Sequence, residues 1–473
     1  MLKKYHKKDV PNLNYAMFHA RFGHNDGVSI VMEQISQVMQ KEMGIPKNQI
    51  FYLVGKSKTR SKQITQNKLF LDNLNGNKLA VKNYDFGFGG AVSEKVEKEI
   101  NLGKEVIKKF VEKNKIDVII AHNTCHPVNF VLSVSLSRYY RDMVDQNKKT
   151  PKYLLWWHDS HLERDHFKNP ANDVMRYLLQ GVPGPFVEYI FFINSLQFKI
   201  AKNYFLKLAS VRKGFYNKIS RSKDVIYNTT DVFIDSFKDL KQIGDGTKTF
   251  IHNFKIQELL DENNLSLKNT LFCLQHTRFV DRKRIDFALE YCFEFLSRVN
   301  KNRKNKKAIY FLVSGMDARD GSKRKVKAIH KKLSKKYPLD KVFLVNAEDV
   351  KTSLLFEDYP RIFARLGGFT TYFSEIEGFG NNLLEVLASG LIPVVYTYPV
   401  FKKDISNKGF KLIALDKFEI DNKSMDELKE VLKSSRKRKI WVNMNLEVLR
   451  KEFAHEIIAS KLTRGIIRTR HHK

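Results

Sequence analysis

Two glutamates, Glu377 and Glu385, stand with seven residues between them, and that interval holds Gly378, Phe379, Gly380, Asn381, Asn382 and Leu383. The glycines let a ligand come against the backbone. The helix expected to start there offers amide N–H groups to a phosphate. Carboxylates on either side of that phosphate can hold hydroxyl groups, each charged hydrogen bond contributing about 1.5–3 kcal/mol. The plainer alternative is an acidic, solvated helix start, because the helix dipole favours Glu there. A second cluster, QHTRFVDRKRID at 275–286, carries Arg278 and Lys283. A diphosphate gains negative charge as its bond to a sugar breaks. Arg can meet it as a fork and Lys as a compact charge, doing what Mg²⁺ does in other phosphate chemistry. A basic loop by itself is ordinarily solvated. A glycine loop at 21–29, RFGHNDGVS, brings Gly27 to the start of a helix, a weak signal alone.

Histidines mark two other places. His122, with Asn123, and His158, in WWHDSH, follow apolar runs. Parallel strands bind ligands outside their carboxyl ends, so both are suitably placed. His161 and Arg164 can line an acceptor site or lie on a solvated helix. The spacing of these histidines matches no zinc pattern, and no metal is expected.

The elements that must position these residues are legible as alternation. Apolar runs at 15–20, 50–54, 116–121, 153–157, 189–193 and 225–227 precede a polar stretch at 228–264. Further runs follow at 271–274, 309–313, 342–345, 371–373, 392–396 and 412–415. Continuous apolar strands separated by helical patterns indicate parallel sheets covered on both faces. Two such sets predict two doubly wound, Rossmann-like α/β domains, 1–228 and 229–445. Leu446, Leu449, Phe453 and Ile457 have helical spacing, so 446–473 is expected to be a helix packing back toward the N-terminal domain.

The glycine-loop segment resembles the E-x7-E signature of the family 4 glycosyltransferases, retaining enzymes of the GT-B fold. That fold places two Rossmann-like domains facing a central cleft. The resemblance implies that Glu377 contacts a donor sugar and Glu385 holds a nucleotide ribose, with Gly378 to Leu383 around the phosphates. Asn381 and Asn382 depart from the Gly-Leu that the family commonly has. The basic cluster is similar to the family's R-x4-K element, which assigns Arg278 and Lys283 to the diphosphate and leaves Arg282 and Arg284 as bystanders. His158 resembles the family's histidine near the reacting carbon, and Gly27 its N-terminal glycine loop. DGVS at 26–29 also looks like the subgroup containing mannosylglucosyl-phosphoglycerate synthases. Implied is a retaining hexosyl transfer without metal or cofactor. The donor is a UDP-, GDP- or ADP-linked sugar, and His122, Asn123, His161 and Arg164 are candidates for the acceptor. No Asp-x-Asp triplet occurs, as a metal-dependent GT-A transferase would need. A nucleotide-sugar epimerase or hydrolase of the same fold remains an alternative, and so does a basic membrane- or nucleic-acid-binding protein.

Length and composition bound these readings. A chain of 473 residues exceeds one ordinary core, and its 42% hydrophobic content is enough for two. No run is long enough to span a bilayer, and the N-terminus lacks the apolar core of a secretory leader. Three widely spaced cysteines fit reduced thiols. A cytoplasmic enzyme is therefore expected. Its formal net charge of +33 permits peripheral contact with an anionic inner-membrane surface. No motif points to specific nucleic-acid binding.

Overall fold

The computed structural model describes residues 7–24, 26–72, 76–78, 90–163, 174, 177, 180–181, 184–211, 214–230, 234–241 and 244–469. The chain forms two compact units, Met1–Thr229 with Ala454–Lys473, and Thr230–Phe453.

The first unit is built on seven parallel strands: β1 (Tyr15–Phe22), β2 (Ile50–Ser57), β3 (Ile64–Gln66), β4 (Val118–His122), β5 (Lys152–Trp157), β6 (Tyr189–Phe192) and β7 (Lys223–Val225), in spatial order β3-β2-β1-β4-β5-β6-β7. The second has six, β8 (Thr270–Gln275), β9 (Ala308–Val313), β10 (Lys341–Asn346), β11 (Phe369–Tyr372), β12 (Ile392–Tyr396) and β13 (Ile413–Leu415), ordered β10-β9-β8-β11-β12-β13. Central strands read as uninterrupted apolar runs because helices cover both faces; all six residues of β9 are buried. β3 lies at an edge and is the triplet ITQ, with a single apolar residue, so no apolar run announces it.

Each sheet reverses its order of winding once, between β1 and β4 and between β8 and β11. Loops diverge at such a point and leave a crevice at the carboxyl ends of the strands. The helices that matter here are α1 (Gly27–Lys41), α2 (Ser195–Val211), α3 (Ile285–Asn300), α4 (Ser322–Lys336), α5 (Asn381–Ala388), α6 (Ser435–Glu452) and α7 (His455–Arg468).

The segment 446–462, expected as one helix, belongs to two. α6 ends at Glu452, Ala454 is extended, and α7 starts at His455. Trp441, Val442, Leu446 and Leu449 are buried within the second unit, and Phe453 packs on Phe379 and Phe410 there. α7 instead lies on the first unit: Lys461 Nζ donates to the Val225 carbonyl, Lys152 Nζ donates to the Ile466 carbonyl, and Arg464 pairs with Asp224. The helical spacing joined residues that serve two different cores. No described helix is long and apolar enough to cross a membrane.

Candidate active site

In the second unit the two loops at the winding reversal meet. β8 leads into His276–Lys283, and Arg284, at φ 48°, turns the chain into α3. β11 leads through residues 373–380 into α5. Gly380 has φ 115°, and a Cβ there would fall 2.3 Å from Tyr398 Oη. That hydroxyl donates to the Phe379 carbonyl at 2.7 Å. Only glycine suits this backbone and this approach. The Glu375 amide donates to the Arg282 carbonyl at 2.9 Å, which stitches the loops together.

Glu377 is at the centre of the junction. Its carboxylate pairs with Lys283 Nζ, accepts from Tyr372 Oη at 3.0 Å, and lies 3.4 Å from Arg282 Nη1. Both members of the Lys283–Glu377 pair have side chains only 10% exposed. Burial pushes the Glu377 carboxyl up, but Lys283 and Arg282 outweigh it and hold the pKa down at about 2. Burial lowers Lys283, and Glu377 opposes that shift. Arg278 is exposed and close enough to act on Lys283 electrostatically. The backbone of its loop lies on Gly315, where a Cβ would come within 2.6 Å of Thr277. Arg282, expected to be a bystander, is a direct partner of Glu377 and also donates to the Ile376 carbonyl at 2.7 Å. Arg284 does serve elsewhere, bonded to Asp286 and Glu375 over the Phe418 ring.

Glu385 lies on the first turns of α5, where its carboxylate meets His276 Nε2 at 2.9 Å. A carboxylate only accepts, so Nε2 donates to it, and Nδ1 lies 3.0 Å from Ser314 Oγ. The His276 ring stacks on Phe356 with centroids 4.0 Å apart. Asn382 Nδ2 donates to the His276 carbonyl at 2.6 Å. Its side chain is therefore spent on the scaffold, as is that of Phe379, which is buried. Leu383 is buried too, and its amide donates to the Gly380 carbonyl. Gly378 lies in the loop before α5, and Asn381 is the first residue of that helix. Sequence reasoning passed over His276 because its carboxylate partner is 109 positions away.

In the first unit, His158 follows β5. Its Nε2 lies 3.1 Å from His122 Nδ1, and burial brings its pKa down to about 3. Gln197 of α2 donates to the His158 carbonyl and to Glu163, and Glu163 also accepts from Trp157 and Ser160. Gln197 and Glu163 thus hold the loop, a role that no spacing along the chain signals. His122 and Asn123, expected to face an acceptor, turn inward instead. Asn123 Oδ1 accepts the Asp159 amide at 3.0 Å. His161 is buried, which takes its pKa to about 4. Arg164 lies outside the described residues. Gly27 begins α1, but the Val28 and Ser29 amides that a phosphate would need already bond to Asp26.

Solved structures share this architecture. An Anabaena protein, HepE, determined in complex with UDP and glucose, superposes with a TM-score of 0.55 over 96% of this chain and 99% of its own, at 12% identity. A glycosyltransferase from Rickettsia africae gives 0.56 over 97% and 99%, at 13% identity. The fold is GT-B. No family model matches the chain. A mannosylglucosylglycerate synthase of Petrotoga mobilis is 26% identical over 428 residues, 85% of this chain and 86% of that protein. One from Thermotoga maritima is 24% identical over 497 aligned positions, covering 96% and 100%. The chain is a glycosyltransferase of the GT-B class. Within that class it is similar to the mannosylglucosylglycerate synthases.

Proposed function

We propose that this glycosyltransferase moves a hexosyl group from a nucleotide-sugar donor to an acceptor hydroxyl, with retention of anomeric configuration and without a metal. One observation carries the reading: a buried, ionised Glu377 paired with Lys283 and Arg282, with Arg278 close to Lys283, on the glycine loop that leads into the helix of Glu385. Lys283, Arg282 and Arg278 supply three positive charges against the one of Glu377. A diphosphate fits the surplus, and its growing charge during bond cleavage is met by groups already in place. The cations thereby take the part of a bound metal ion. Glu377 accepts from a donor-sugar hydroxyl, and Glu385, steadied by His276, accepts from the ribose. The acceptor hydroxyl attacks from the face that the diphosphate leaves, and the departing phosphate takes its proton.

HepE in complex with UDP and glucose favours a nucleotide-linked hexose as donor. The product named for the two relatives makes a sugar joined to glycerate the first acceptor to try. A thermal-shift screen of UDP-, GDP- and ADP-sugars should identify the donor, since a ligand that binds only the folded state raises stability. Transfer assays with that donor follow. Sugar released equally with and without acceptor would mean a hydrolase or epimerase instead. Activity lost in excess EDTA and restored by Mg²⁺ or Mn²⁺ would overturn metal independence.

A further inference from the structure

At the reversal between β1 and β4, three histidines form one buried group. His122 is completely buried, whereas His19 and His158 remain 5% and 8% exposed. His19 Nδ1 lies 3.1 Å from the His122 carbonyl oxygen. A carbonyl can only accept, so His19 carries its proton on Nδ1. The His122 ring stacks on Trp156 at 5.4 Å and is nearly parallel to it, which sets its plane. Its Nδ1 meets His158 Nε2 at 3.1 Å, and its Nε2 is sealed without a partner among the described residues. Two tautomer assignments are open to that contact. One leaves a buried N–H orphaned on His122 and the other leaves only a bare lone pair. Orphaned buried N–H groups are the rarer, so His122 donates through Nδ1 and His158 accepts through Nε2. Burial pushes all three rings toward the neutral form.

We propose that His122 sets the tautomers of both neighbours, leaving His19 Nε2 as a hydrogen-bond acceptor and His158 Nδ1–H as a donor, and that these two atoms bind hydroxyl groups of a sugar substrate. The role of His19 rests on the reading of His158 as a sugar contact. His122 acts through the other two and is a positioning residue. Two neutral rings of opposite polarity suit hydroxyls, which both donate and accept, and they suit neither a phosphate nor a cation.

The tautomers can be read without any substrate. In the full chain labelled with ¹⁵N-histidine, long-range ¹⁵N–¹H NMR correlations separate Nδ1–H from Nε2–H rings, with single histidine variants giving the assignments. Both His19 and His158 are expected as Nδ1–H at neutral pH; an Nε2–H form of either overturns the proposal. This result stands or falls apart from the donor reading, which fails separately if no nucleotide sugar is turned over. His19→Asn keeps an N–H for the His122 carbonyl and deletes Nε2. It should lower kcat/KM about three- to tenfold, the worth of one neutral hydrogen bond, with Tm and nucleoside diphosphate affinity unchanged. His19→Gln, which returns a carbonyl oxygen near the Nε2 position, should recover part of the loss. An Asn variant within about twofold of the parent chain removes His19 from substrate binding.

Discussion

At the scale of single residues, chemistry here depends on pairs that the linear sequence shows only in part. Glu377, Glu385, Arg278 and Lys283 stand out in the sequence as two local pairs, and it is the resemblance to the family's motifs that gives them their expected roles. What the spacing could not show is that Lys283 and Glu377 neutralise each other, that Arg282 joins them, or that His276 braces Glu385. Those contacts cross 94 to 109 positions. Two expectations follow. Glu377→Ala should abolish most transfer yet leave nucleoside diphosphate binding nearly intact, while Glu385→Ala should weaken that binding roughly ten- to hundredfold. Calorimetry on both variants decides, and equal affinities would end the division of labour. The second concerns acid. The Glu377 pKa falls from an ordinary 4.5 to about 2 on folding. A depressed carboxyl stabilises the fold above its unfolded pKa and loses that contribution as pH drops through the folded one. Denaturant titrations should therefore show stability declining between about pH 4.5 and 2, with a shallower decline in Glu377→Gln. Parallel profiles would show that the pair is not formed.

Elements were read well wherever burial on both faces wrote a continuous apolar run, as in β8, β9 and β12. They were missed where that signal fails. β3 is an edge triplet with one apolar residue, and residues 446–462 change partners halfway along. Glycines that allow close approach form a third class. Gly380 was visible inside the loop motif, but Gly315 stands after β9 with no motif around it, and its importance is the 2.6 Å approach to Thr277. Gly315→Ala should force the Arg278 loop away from β9, costing about 1–3 kcal/mol of stability as overpacked sites do, and should raise the Kd for nucleoside diphosphate. Gly380→Ala adds positive-φ strain to its clash with Tyr398, so it should be at least as destabilising. Urea unfolding of the two variants checks the order. A neutral Gly315→Ala would mean that the loop has slack.

At the scale of the whole molecule the unresolved quantity is charge, +33 over 473 residues. Part of it is internally answered: on α4, Lys323 and Lys327 pair with Asp349, Lys325 with Asp281 and Lys336 with Glu294. Arg324, Lys331, Lys332 and Lys335 on the same helix are exposed and have no carboxylate within 4 Å among the described residues. Exposed pairs contribute little to stability, so these four are free to answer to an external anion without cost to the fold. A basic helix near an anionic bilayer gains about 1 kcal/mol per lysine, an attraction screened beyond about 8 Å at physiological salt. Vesicles containing phosphatidylserine should therefore retain the protein at low ionic strength and release it as salt rises. Replacing Lys331, Lys332 and Lys335 together by Gln should weaken that adsorption roughly a hundredfold, with sugar transfer in solution unchanged because none of the three lies in the loops that carry Lys283 and Glu377. Sedimentation with vesicles at two salt concentrations makes the measurement. Retention that ignores salt, or a triple variant that binds as before, would leave α4 a solvated face and move the search for a membrane contact elsewhere on the chain.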